Sequence, residues 1–166
     1  MEKLTEIRMN SRMQELYRAA ELATTPRKQT LNNKLAALLN SGFVRTGGAY
    51  LLKTQAKFSK TPTTSFQDLT GYECFVNHIH IDDYLTDMDT DPNQLINLEQ
   101  GIAFARRIVE ELASSFLQER FTIIVAYGQS GCSVRFHLMR SGERWISDNL
   151  DDYEEEALLV LETLPH

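Results

Sequence analysis

The sequence predicts an α+β fold: an N-terminal helical pair, then an antiparallel sheet in the order β-α-β-β-β, covered on one face by one long amphipathic helix. Two observations carry most of that prediction. Leu95, Leu98, Ile102, Ala105, Val109, Leu112 and Phe116 recur at alternating steps of three and four, the stripe of a helix that must lie on something apolar. Downstream, Phe121 to Gly128 and Cys132 to Met139 flank Gln129-Ser130-Gly131, a hairpin turn. Consecutive hairpins favour an antiparallel sheet with one covered face.

The elements follow in order. Residues 3–23 place Leu4, Ile7, Met13, Leu16, Tyr17 and Ala20 at helical spacing with no Gly or Pro. Thr25-Pro26 has the form of an N-cap followed by a first helical residue, with Leu31, Leu35, Leu38 and Leu39 as the stripe and Gly42 at the stop. Phe43-Val44-Arg45, Thr46-Gly47-Gly48 and Tyr50-Leu51-Leu52 fit a short hairpin. Residues 53–70 are polar and contain Pro62, and are expected to be a linker. Tyr72 to Ile81 reads as a strand and Asp82 to Asp91 as an acidic loop. Asp91-Pro92-Asn93-Gln94 is a capping-box variant that opens the long helix. Ser141-Gly142 marks a turn, and Ala157 to Thr163 closes the sheet.

Charge divides the chain in two. Residues 1–60 hold 11 Lys/Arg and 4 Asp/Glu, whereas residues 61–166 hold 6 and 19. The expected organisation is a basic helical region, 1–60, followed by an acidic α+β domain, 66–166. Such a division suits a protein that meets a charged partner. It would be functionally silent if the basic helices docked on the acidic region of the same chain, or of a second copy in a homodimer.

Several function classes are excluded. The charged N-terminal residues lack the apolar core of a secretory signal, and no apolar run approaches a bilayer's width, so a cytoplasmic protein without a membrane partner is expected. Cys74 and Cys132 lack C-x-x-C spacing and read as buried thiols of a reducing compartment. Gly128-Gln129-Ser130-Gly131-Cys132 lacks the fifth-position Gly and the following helix of a nucleophile elbow. Asp87-Met88-Asp89-Thr90-Asp91 copies three calcium-loop positions, but Pro92 and Leu98 replace the required Gly and Glu. No phosphate-binding Gly loop is present. No catalytic residue and no cofactor are expected.

Three constellations remain. On a strand, His78, His80 and Asp82 share a face, and His137 and Arg135 on a neighbouring strand could join it; His78, His80, Asp82 and His137 form a possible divalent-metal set, and His78, His80 and His137 a possible metal-dependent enzyme. Arg27, Lys28, Lys34 and Arg45 belong to a segment, residues 26–53, that is similar to the helix-and-wing end of a winged-helix module; it leaves no room for the preceding short helix. That resemblance implies nucleic-acid contact as a second reading. Trp145, Asp148, Asp151, Asp152, Tyr153 and Glu154 combine aromatic anchors with acids, a pattern suited to a basic protein partner. The leading expectation is therefore a non-catalytic protein-binding module of the immunity or inhibitor type, capping a basic partner such as a toxin or nuclease.

Overall fold

The computed structural model describes residues 5–24, 30–86 and 95–164. Its elements in chain order are β1 (Thr5–Met9), α1 (Ser11–Thr24), α2 (Asn33–Asn40), β2 (Phe43–Thr46), β3 (Ala49–Leu52), α3 (Lys53–Phe58), α4 (Leu69–Val76), β4 (Ile79–His80), α5 (Ile96–Ser115), β5 (Phe121–Gly128), β6 (Gly131–Leu138) and β7 (Ala157–Thr163). The α+β architecture is as expected. From β4 onward the order is β-α-β-β-β, and the sheet is antiparallel throughout, in the order β1-β7-β5-β6-β4. A separate hairpin pairs β2 with β3.

Helix α5 covers the sheet through the face the periodicity marks. Leu98, Ile102, Ala105, Val109 and Leu112 are buried, as are Phe104 and Ile108. They meet Ile123, Val125, Val134, Phe136, Leu159 and Leu161 from alternate strand positions. Helix and sheet approach closely at Gly101: a methyl group there would overlap the Cys132 Sγ. Met13, Leu35, Leu38, Tyr50 and Leu52 join this same apolar cluster, so residues from both sides of the charge boundary share it.

Strand β7 is buried on both faces from Ala157 to Leu161, which is why it reads as an unbroken apolar run. Its second face, with Ile124, packs against Leu150, Ile146 and Tyr153 of the segment between β6 and β7.

Three local expectations are corrected. The first helix begins at Ser11, and residues 5–9 form an edge strand on β7 instead. Asn10 separates the two elements. Its Oδ1 accepts from Met13 N at 2.9 Å, capping α1, and from Leu158 N at 3.0 Å, extending the ladder. Tyr72 to Ile81 is mainly α4, with only Ile79–His80 left as strand. Asp68 caps that helix by accepting from Gly71 N at 2.8 Å. The expected linker, 53–70, contains α3 and a 3₁₀ turn at Thr63–Ser65. Thr25-Pro26 and the Asp91–Gln94 cap lie outside the described residues. The described cap of α2 is Asn32, whose Oδ1 accepts from Lys34 N at 2.9 Å.

Candidate functional site

The acidic segment between β6 and β7 is anchored onto the start of α1. Asp151 accepts from Ser11 N at 2.8 Å and from Ser11 Oγ at 3.2 Å, placing a carboxylate at a helix N-terminus. Asn10 Nδ2 donates to the Glu156 carbonyl at 2.7 Å, and Arg12 Nη1 to the Glu154 carbonyl at 2.9 Å. Arg8 Nη1 donates to the Asp148 carbonyl at 3.3 Å, and Arg8 Nη2 lies 3.5 Å from the Glu162 carboxylate. Within the segment, Asp152 accepts from Ser147 Oγ at 3.3 Å and Asn149 Nδ2 at 3.0 Å, and the Tyr153 hydroxyl accepts from Ser147 N at 3.0 Å.

Of the six residues expected to meet a partner, Asp151, Asp152 and Tyr153 therefore build the segment. Trp145, Asp148 and Glu154 face outward. Trp145 is 45% exposed and carries the Arg135 guanidinium 4.9 Å from its ring centroid, a cation–π contact. Asp148 pairs with Arg144 at 3.2 Å.

This docking creates a groove of about 820 Å³. Glu15 of α1 and Glu154, Glu155 and Glu156 form its acidic rim; Leu16 and Tyr127 supply apolar surface; the β5–β6 turn closes one end. The segment crosses the hairpin closely at Gly128, where a methyl group would lie 3.4 Å from the Glu155 carbonyl oxygen. Arg12 is the one cation among the described lining residues, and it is already bonded to the Glu154 carbonyl.

The histidines separate into two places. The His78 and His80 rings lie 4.3 Å apart, and Arg135 Nη2 is 3.0 Å from His78 Nε2. A guanidinium has only donors, so Nε2 accepts and the ring is neutral. Burial, then the Arg135 and His80 charges, lower the His78 pKa to about 4. His137 pairs with Thr122 whereas His80 pairs with Ser133; the four residue steps from Ser133 to His137 along β6 amount to about 13 Å. His137 instead lines a smaller pocket of about 210 Å³ with Thr122, Trp145 and Glu162, and its Nδ1 lies 2.8 Å from the Leu138 carbonyl. Asp82 is engaged at the hairpin, accepting from Cys132 N at 2.7 Å and from Asn97 Nδ2. Among the described residues no group of three or more His, Cys, Asp or Glu side chains is arranged to hold one metal ion. The donor set of His78, His80, Asp82 and His137 thus does not fit a metal.

Arg27 and Lys28 lie outside the described residues. Lys34 is exposed in the first turn of α2, and Arg45 on β2 has its guanidinium 5.3 Å from the Tyr50 ring centroid. Helix α2 does run into a hairpin, but α4 clamps that hairpin. Tyr50 N donates to Glu73 Oε2 at 2.6 Å and Leu52 N to Asn77 Oδ1 at 2.9 Å. Burial raises the pKa of both thiols, that of Cys74 to about 12, so neither supplies a thiolate at neutral pH.

Sequence reasoning missed one buried polar cluster. Glu73 is fully buried and takes Arg140 Nη1 at 2.6 Å and Nη2 at 3.0 Å, together with Leu138 N at 3.0 Å. Glu73 on α4 and Asn77, the C-cap of that helix, sit four apart, and that spacing was the available signal.

A family model matches residues 8–165. The chain belongs to the Uncharacterized protein PM0498 family. The match spans every element described above apart from the first residues of β1. No curated protein and no solved structure matches the chain. Among the described residues no helix is long and apolar enough to cross a membrane.

Proposed function

We propose that this chain is a non-catalytic protein-binding module that caps a basic partner, in the manner of an immunity or inhibitor protein opposing a toxin or nuclease. One observation supports the reading best: the groove rimmed by Glu15, Glu154, Glu155 and Glu156 above Leu16 and Tyr127. Four carboxylates around apolar surface offer both parts of a protein interface. The acids steer a cationic side chain inward and reject anionic competitors, and the apolar floor supplies area to bury. The rim acids are exposed and so open to a partner from solvent.

The test uses the intact chain as bait for proteins of its own cell, comparing the native form with a Glu154→Gln/Glu155→Gln/Glu156→Gln variant. Each retained protein is then purified and titrated calorimetrically over a salt series. The expected partner is basic, loses affinity by about tenfold or more against the neutralised variant, and loses it further as salt rises. Retention that ignores both the substitutions and the salt would overturn the reading.

A further inference from the structure

The two edges of the five-stranded sheet are treated differently. At one edge β4 pairs with β6 over only two residues. Beyond it, α4 occupies the rim of β6: Asn77 Nδ2 donates to the Phe136 carbonyl at 3.2 Å, and Glu73 accepts from Leu138 N at 3.0 Å. A short edge strand and side chains that use up the ladder groups are ways of blocking further strand addition.

The other edge is β1, five residues with no Pro and no Gly. Asn10 N donates to the Leu158 carbonyl at 3.2 Å, and Asn10 stands one step beyond the Arg8–Val160 and Glu6–Glu162 pairs in the same register. By alternation, the backbone groups of Glu6 and Arg8 turn toward β7, and those of Thr5, Ile7 and Met9 turn outward. Among the described residues nothing bonds to that outward row. Ile7, in its centre, is 49% exposed.

We propose that a second copy of this chain adds to this edge, β1 against β1, antiparallel and centred on Ile7. The strand is self-complementary in that register alone. With Ile7 opposite the partner copy's Ile7, the outward groups of Thr5, Ile7 and Met9 meet those of Met9, Ile7 and Thr5 as hydrogen-bonded pairs. Glu6 then faces Arg8 across the junction, twice, in the closer non-hydrogen-bonded pairs. Shifting the two-fold axis by one residue sets Glu6 against Glu6, or Arg8 against Arg8. Within one copy, Glu6 already stands opposite Glu162, a like charge, and no described residue neutralises it. A second copy supplies the missing cation. This pairing uses none of the groove residues and does not depend on the function proposed above.

Sedimentation velocity on the full chain over a concentration series tests the pairing, with circular dichroism checking that each variant is folded. The native chain is expected to shift from monomer to dimer as concentration rises. Glu6→Lys alone and Arg8→Glu alone set like charges across the junction and are expected to stay monomeric. Their equimolar mixture sets the introduced lysine of one copy against the introduced glutamate of the other, and native Arg8 against native Glu6, and is expected to recover the dimer. Should Arg8→Glu fail to fold for want of its Glu162 contact, Ile7→Glu, which opposes two carboxylates on the axis, is expected to abolish the dimer by itself. A native chain that stays monomeric throughout, or charge variants that dimerise as the native chain does, overturns the proposal.

Discussion

Glu73 bonds four ways with no exposure to water: to two backbone N–H groups on different strands and to both terminal nitrogens of Arg140. The carboxylate raises the Arg140 pKa although burial pulls the other way. Removing one member of such a pair leaves an uncompensated charge and orphaned donors. Glu73→Ala is therefore expected to lower unfolding free energy by about 3–5 kcal/mol in urea titrations, and a loss below about 1 kcal/mol would contradict this account. His78 sets a pH dependence. Its folded pKa of about 4 lies below the ordinary value near 6.5. Between those values the unfolded chain binds a proton that the folded chain refuses, so stability falls as pH drops through that window and the effect levels off below it. Buried His137, also shifted down, acts in the same direction. Relative to the native chain, His78→Gln is expected to flatten the fall in urea midpoint between pH 6.5 and 4; superimposable profiles would contradict the assignment. Neither group was legible as a buried participant in the sequence. Tyr72 to Ile81 looks like a strand on composition, and a strand reading hides the four-residue step from Glu73 to Asn77.

Helix α5 shows what periodicity reveals and what it omits. The stripe from Leu98 to Leu112 located the helix and its buried face, because a long repeat leaves little freedom of interpretation. It could not show that Gly101 faces Cys132. On helix propensity alone, Gly101→Ala would gain about 1 kcal/mol. Here the added methyl meets a sulfur in a packed interior, so thermal unfolding is expected to show a net loss, and Cys132→Ala in the same chain to recover most of it. A stabilised single variant would show that the helix can ride away from the sheet. The N-terminal error has a similar origin. Leu4 and Ile7 fit a helix that continues into Met13, and only the side-chain bonds of Asn10 reveal the break. Asn10→Ala removes a helix cap and the acceptor for Leu158 N together. A loss of about 2 kcal/mol or more is expected from denaturant titration, beyond the roughly 1 kcal/mol of a cap alone. A loss no larger than a cap's would mean that the Leu158 bond contributes nothing.

Across the whole molecule, the charge division seen in the sequence is partly consumed inside the fold. Arg8 lies against Glu162, Arg12 holds the Glu154 carbonyl, and Asp151 caps α1, so the first helix and the last acidic segment fasten one another. Arg45, Lys53, Lys57 and Lys60 form no ion pair with other described residues, and the rim of Glu154, Glu155 and Glu156 stays open to solvent. Composition could announce the imbalance but not which acids were already engaged, since that depends on a contact between residues 140 positions apart. On the function proposed above, the remaining acids act together at one groove. Amide chemical-shift mapping tests this directly, titrating the isotope-labelled chain with a short peptide rich in lysine and arginine. Shifts are expected to concentrate at Arg12 to Leu16, Tyr127 to Ser130 and Glu154 to Glu156; shifts spread evenly over the acidic surface, or centred on Glu110 and Glu111 of α5, would contradict a single acidic groove.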